Sequence, residues 1–189
     1  MKYTDNIVIV TGDGQGIGRA VATMYAAKGA HVVIAEYNRA AGEETASLIN
    51  STEAVKGTAH FEHIDVSVPA QIEQLMRTVD ERWGRLDVLI NNAGLSVWES
   101  PYELTIEAWD HILNTNLRSV FLASREAAKI MRRHGGGAIL NLCSTRAHMS
   151  EPHSEAYAAS KGGIILNTCA WCLTRPRWDS CQRDLSRLD

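Results

Sequence analysis

Short apolar, β-branched runs alternate along this chain with longer stretches in which apolar residues recur at helical spacing. A short continuous apolar run suits a buried strand, and an apolar period near 3.6 suits a helix lying on a core. The pattern predicts strands from Ile7 to Thr11, His31 to Glu36, Thr58 to Asp65, Leu86 to Asn91 and Ala138 to Ser144. Helices are predicted from Gly16 to Lys28, Arg39 to Asn50, Pro69 to Trp83 and Ile106 to Arg133, with a last one starting near Ser154. Gly29, Gly84 and Gly135 fall where helices should stop, and Pro69 suits a first helical turn. Strands that are apolar throughout are covered on both faces, so the order describes an α/β fold: a parallel sheet between two layers of helices.

The join between the first strand and the first helix reads Thr11-Gly-Asp-Gly-Gln-Gly-Ile-Gly18. Gly12, Gly16 and Gly18 let the backbone turn sharply and approach a ligand closely. Free N–H groups and the positive end of the helix dipole then favour the negative charge of a pyrophosphate. The spacing is Gly-x-x-x-Gly-x-Gly, different from the Gly-x-Gly-x-x-Gly of ordinary dinucleotide-binding turns. The second strand ends at Glu36, whose carboxylate can accept from adenosine ribose hydroxyls and repel a 2′-phosphate. That favours NAD, while Arg39 nearby leaves NADP open.

Tyr157 and Lys161 are four residues apart and share one face of a helix. A neighbouring ammonium favours the phenolate form, so such a tyrosine can exchange protons near neutral pH. Reduction of a carbonyl by a nicotinamide needs a proton on oxygen as well as hydride on carbon, and the pair supplies that acid or base.

Together these motifs resemble the short-chain dehydrogenase/reductase family in its single-domain form. The resemblance covers the chain as far as about Ile165, through Thr11-Gly-x-x-x-Gly-Ile-Gly18, Asp65-Val66, Asn91-Asn-Ala-Gly94, Asn116, Ser144 and Tyr157-x-x-x-Lys161. It implies a Rossmann-like doubly wound parallel sheet in the order 3-2-1-4-5. Tyr157 would be the general acid/base and Ser144 would hydrogen-bond the substrate oxygen. Lys161 would lower the tyrosine pKa and hold the nicotinamide ribose, and Asn116 would position a water in the proton relay. Gln15 and Ile17 would line the pyrophosphate turn. Asp65 would meet the adenine amino group with Val66 beside the ring, and Asn91, Ala93 and Gly94 would close the cofactor cleft. Single members also have plain structural uses: Asn116 can bond a helix backbone, Ser144 can satisfy a strand end, and Asp65 can cap the helix near Pro69.

The implied activity is hydride transfer between NAD(H) and a small carbonyl or secondary-alcohol substrate. An NAD-binding module or inactive truncated pseudoenzyme is the alternative. Ser96, Trp98, Thr145, Arg146 and His153 are the nearer candidates for substrate contact. Family members commonly pair through two long helices, corresponding here to Ile106 to Arg133 and the helix carrying Tyr157.

Composition narrows the class further. With 189 residues, 45% apolar content and no Pro- or Ser-rich linker, the chain reads as one globular domain. The net charge is −3 with scattered basic residues, which argues against nucleic acid or an anionic membrane as partner. Without a signal-peptide-like start or an apolar run long enough to span a membrane, a cytoplasmic setting is expected. His60 and His63 lie three apart on a strand and point to opposite faces, which suits no chelate.

From Asn167 to Asp189 the composition changes abruptly: three of the four cysteines and two of the five tryptophans fall in this stretch. The domain is therefore expected to occupy residues 1–166, with 167–189 an atypical tail outside the native fold. The tail is read as a C-terminus replaced by a frameshift or premature stop, which resequencing the encoding DNA would test. Cys169-x-x-Cys172 lacks the flanking context of a zinc or redox site. If the usual last strands are missing, the fifth strand becomes an open edge, and low stability is expected.

Overall fold

The computed structural model describes residues 3–173, with side chains described as far as residue 170. Five strands, β1 (Ile7–Thr11), β2 (His31–Glu36), β3 (Thr58–His63), β4 (Val88–Asn91) and β5 (Ala138–Asn141), form one sheet. Its order is β3-β2-β1-β4-β5 and every pairing is parallel. Helices α1 (Gly16–Ala27), α2 (Arg39–Ser51), α3 (Pro69–Trp83), α4 (Ile106–Leu113), α5 (Ser119–Arg133) and α6 (Glu155–Leu173) connect and flank the strands.

The strand period of two divides the core into two layers. Ile7 and Ile9 of β1, Val33 and Ala35 of β2 and Leu89 of β4 face α3 and α5, where they meet Ile72, Leu75, Val79, Ala127 and Ile130. Val8 and Val10, Val32 and Ile34, and Val88 and Ile90 face the other way, against Ala22 and Ala26 of α1 and Ala46 and Ile49 of α2. Small alanines on α1 and α2 let both helices lie close to the sheet.

Several boundaries differ from the sequence expectation. β3 stops at His63 and β5 at Asn141, because the segments beyond them bend into the loops that build the site. β4 starts at Val88, two residues later than expected. The expected helix from Ile106 to Arg133 is interrupted by a π-helical turn, Asn114–Arg118. α6 continues through Leu173, past the composition change at Asn167. Cys181 and the rest of the tail beyond 173 lie outside the described residues.

β5 pairs with β4 alone among the described residues, and its Leu140 is 56% exposed. On α6, Leu166 is 72% exposed. No described helix is long and apolar enough to cross a membrane, and no described cluster of three or more His, Cys, Asp or Glu can hold a metal ion. His60 meets Arg82, and His63 meets the Tyr37 carbonyl.

The glycine turn after β1 carries an unusual load. Asp13 is 0% exposed and neither carboxyl oxygen has a hydrogen-bond partner. Burial pushes its carboxyl well above the usual carboxylate range. The backbone at Asp13 and Ala35 offsets part of this, and the neighbouring Glu36 charge adds to it. A carboxyl held above its unfolded value supports the fold fully only below that unfolded value. Its contribution is lost as pH rises toward the raised one. Asp13→Ala is therefore expected to stabilise the protein by about 1–3 kcal/mol at neutral pH, shrinking toward acid pH. Thermal melts of both proteins between pH 4 and 8 check this, and a gain that does not change with pH would remove the buried carboxyl as its source.

Candidate active site

The chain runs outward from β1 to β2 and β3, then returns to place β4 on the other side of β1. At that reversal the loops after β1 and β4 diverge and leave a cleft at the carboxyl ends of the strands, the place where open α/β sheets take ligands. The cleft has a volume of about 590 Å³ and is walled by the glycine turn, the end of β2, the loop after β3 and the loop after β4.

The two central loops are clasped together. The Thr11 hydroxyl accepts from the Asn92 and Ala93 amides, both at 3.1 Å. The Asn92 side-chain amide donates to the carbonyls of Thr11 at 2.9 Å and Gly12 at 2.7 Å. Gly12 sits in this clasp with φ +67°, and a β-carbon there would come within 2.7 Å of the Ala93 backbone. At Gly18 a β-carbon would come within 2.4 Å of the Gly12 carbonyl. Only glycine satisfies both approaches. Helix α1 starts here with no side-chain cap and no acidic residue in its first turn. The positive end of its dipole is thus left uncompensated beside Gln15, Ile17 and Gly18 in the cleft wall.

At the other end of the glycine turn, the Glu36 carboxylate accepts from the backbone amides of Gly14 at 2.9 Å and Asn38 at 2.8 Å. It is held facing the cleft beside Tyr37. Arg19 and Arg39 have other partners. Arg19 donates to the Gly14 carbonyl and pairs with Glu44 at 2.6 Å, whereas Arg39 pairs with Glu43 at 3.4 Å and lies over the Phe61 ring. Asp65 and Val66 also line the cleft. Asp65 Oδ1 accepts from the Ser67 amide at 2.8 Å, so the carboxylate shapes the turn into α3 while facing the cavity.

Beyond Gly94 and Leu95 the cleft meets a second group of side chains. Asn116 lies in the π-helical turn between α4 and α5 and is 0% exposed. Its side chain exchanges two 2.8 Å hydrogen bonds with the Leu95 backbone, accepting from the amide and donating to the carbonyl. Lys161 is buried on α6 and its Nζ donates to the Leu142 carbonyl at 3.0 Å. Burial lowers its ammonium below the usual lysine value, and nearby Cys143 acts in the opposite direction. Nζ lies 5.6 Å from the Tyr157 ring centroid. A β-carbon on Gly94 would stand 3.4 Å from Asn116 Oδ1 and 3.6 Å from Lys161 Nζ, so the three converge. Ser144 is half-buried at the start of a short 3₁₀ turn, where its Oγ accepts from the Arg146 amide at 3.2 Å.

Gly12, Gln15, Ile17, Gly18, Glu36, Asp65, Val66, Ala93 and Gly94 thus share the walls of one cleft. Gly16 is exposed at the helix start but does not line it. Asn91 does not line it either. It is buried inside the sheet, and its side-chain amide donates to Ser124 at 3.2 Å and Asn141 at 2.8 Å. The neighbouring Asn92, in the loop just past β4, ties the cleft together. Ser144, Asn116, Tyr157 and Lys161 lie outside the cleft proper, past Gly94. Of the expected substrate contacts, Trp98 is half-exposed, Arg146 is ion-paired with Glu151, and His153 has φ +67° with its carbonyl accepting from Glu99. Asn92, part of the motif expected to close the cleft, does line it, whereas sequence reasoning missed Leu95 and Ser160, whose roles depend on which neighbour the fold supplies.

Residues 6–174 match the family model described as short chain dehydrogenase. The chain is 37% identical over 173 residues to an uncharacterized oxidoreductase of Thermotoga maritima, covering 91% of this chain and 66% of the relative. It is 40% identical over 168 residues to a short-chain type dehydrogenase/reductase of Picea abies, covering 86% of this chain and 62% of the relative. The structure of a short chain dehydrogenase from Mycobacterium smegmatis superposes with a TM-score of 0.84 at 32% identity, covering 90% of this chain and 71% of that one. The chain therefore spans just under two thirds of the length of the curated relatives it matches. Family model, relatives and sheet order agree: this chain belongs to the short-chain dehydrogenase/reductase family.

Proposed function

We propose that the chain carries an NAD-dependent oxidoreductase site acting on a carbonyl or secondary alcohol. The observation that supports this best is the convergence of Gly94, Asn116 and Lys161 beside Tyr157, at the end of a cleft whose far wall presents the Glu36 carboxylate.

The cleft residues fit a dinucleotide. The turn from Gly12 to Gly18 and the uncapped start of α1 would face the pyrophosphate. Glu36 would accept from the adenosine ribose hydroxyls. Asp65 and Val66 would flank the adenine, while Ala93 and Gly94 would border the nicotinamide half. When bound, the cofactor supplies the hydride acceptor or donor. In this reading Tyr157 gives or takes the substrate proton as general acid/base, and the Lys161 ammonium stabilises the negative charge developing on the phenol oxygen. Ser144 Oγ orients the substrate oxygen. Asn116 holds the Leu95 loop against α6, so that the proton-transfer groups meet the cofactor end at a fixed distance.

NAD over NADP is the preferred reading because a 2′-phosphate would face the Glu36 carboxylate, while Arg19 and Arg39 are already paired with Glu44 and Glu43. Calorimetry is expected to give NAD⁺ at least about tenfold tighter binding than NADP⁺, with Glu36→Ala narrowing the gap. Equal affinities in the parent protein would overturn the ribose role of Glu36.

Tyr157→Phe keeps the ring and removes only the hydroxyl. Its kcat for alcohol oxidation, followed by NADH absorbance, is expected to fall by about 10²–10⁴-fold with the Kd for NAD⁺ unchanged. Undiminished turnover would exclude Tyr157 as acid/base. NAD⁺ binding by the unmutated protein with no turnover across a carbonyl and alcohol screen would favour a cofactor-binding module instead.

A further inference from the structure

We infer that Ser160 is a positioning residue for this site, joining Asn116 to the helix that carries Tyr157 and Lys161. The inference rests on the oxidoreductase reading above.

Ser160 is 0% exposed and sits one residue before Lys161. Its hydroxyl does two jobs at once. It accepts from Asn116 Nδ2 at 3.1 Å and donates to the Tyr157 carbonyl at 2.7 Å. With Asn116 Nδ2 also donating to Leu95 at 2.8 Å, both protons of that side-chain amide are used. The amide is therefore fixed in rotamer and in flip, with one hydrogen bond to the cofactor loop and one to α6. A hydroxyl is the smallest group that can both accept and donate between these partners, and alanine would leave one Asn116 proton buried and unpaired. Ser160 does not line the cleft, and its hydroxyl bonds Asn116 and the Tyr157 carbonyl, so it acts through these two.

The test compares Ser160→Ala with the unmutated protein by steady-state kinetics, NAD⁺ calorimetry and NMR of the Asn116 side-chain amide without cofactor. A lost hydrogen bond of this kind misplaces the acid/base without removing it. We expect kcat to fall by about tenfold or more while KM and the Kd for NAD⁺ stay within about twofold. The Asn116 amide protons are expected to shift and exchange faster, and Ser160→Cys to recover part of kcat through its weak donor and acceptor. An unchanged kcat, or a kcat loss matched by an equal loss of NAD⁺ affinity and thermal stability, would overturn the positioning role. If the unmutated protein binds NAD⁺ and turns nothing over, the oxidoreductase reading fails. The Asn116 resonance then decides the Ser160 link separately: a shift in Ser160→Ala supports it and an unmoved signal overturns it.

Discussion

The site depends on the clasp between the carboxyl ends of β1 and β4. These two strands are sheet neighbours although the clasped residues lie about 80 positions apart in the chain. Thr11 and Asn92 supply four hydrogen bonds across the gap, and together they bring Ala93 so near Gly12 that only a hydrogen fits between them. The clasp fixes the separation of the glycine turn and the Ala93–Leu95 loop, and with it the width of the cleft. From Leu95 the same order passes through Asn116 and Ser160 to the Tyr157 backbone. A run of short contacts thus joins the glycine turn to the helix that carries Tyr157 and Lys161.

Several buried polar side chains lie along this run or beside it. Thr11, Asp13, Asn91, Thr115, Asn116, Ser160 and Lys161 are all buried, while the two core layers on either face of the sheet are made of aliphatic side chains and methionine. Buried polar atoms are tolerated when paired, and most of these are. The exceptions are both carboxyl oxygens of Asp13 and the hydroxyl of Thr115, which have no partner. Both residues border the cleft region: Asp13 within the glycine turn, Thr115 in the cleft wall beside Gly94 and His111. The unpaired buried polar atoms thus lie where the candidate site is built.

Fold and motifs were largely legible because each had a local cause. Continuous apolar runs marked β1, β2 and β4, all buried from end to end or nearly so, and the glycine spacing marked the turn. The remainder depended on partners that no local pattern encodes. Nothing in Leu113-Asn-Thr-Asn-Leu117 announces a π-helical turn; it forms where the Asn116 side chain reaches across to the backbone of Leu95. Asn91 and Asn92 look equivalent in sequence, yet Asn91 ends β4 with its side chain on Ser124 and Asn141, while Asn92, in the loop just beyond, reaches Thr11 and Gly12. Asp65, Ser144 and Asn116 all make structural hydrogen bonds, but not the ones foreseen: Asp65 accepts from Ser67 while α3 has no side-chain cap, Ser144 accepts from Arg146 in a 3₁₀ turn, and Asn116 bonds the Leu95 loop; each residue also stands at the cleft or beside it. Structural and functional readings of a polar side chain are therefore not exclusive: the bond that orients the group is what fits it for a role.

The two ends of the site are not equally braced. The glycine-turn end hangs on β1 and β2, which are buried on both faces and paired along both edges. The end with Tyr157 and Lys161 hangs on β5 and α6. Lys161 Nζ is anchored to the Leu142 carbonyl just past β5, Cys143 Sγ donates to the Lys161 carbonyl, and the Asn141 side chain donates to Thr168. Yet β5 is the most exposed strand of the sheet and has one partner strand among the described residues. Local opening is cheapest where buried apolar contacts are fewest. The Asn116–Ser160 link matters for that reason: it gives α6 a second attachment, to the buried half of the molecule, that does not pass through β5.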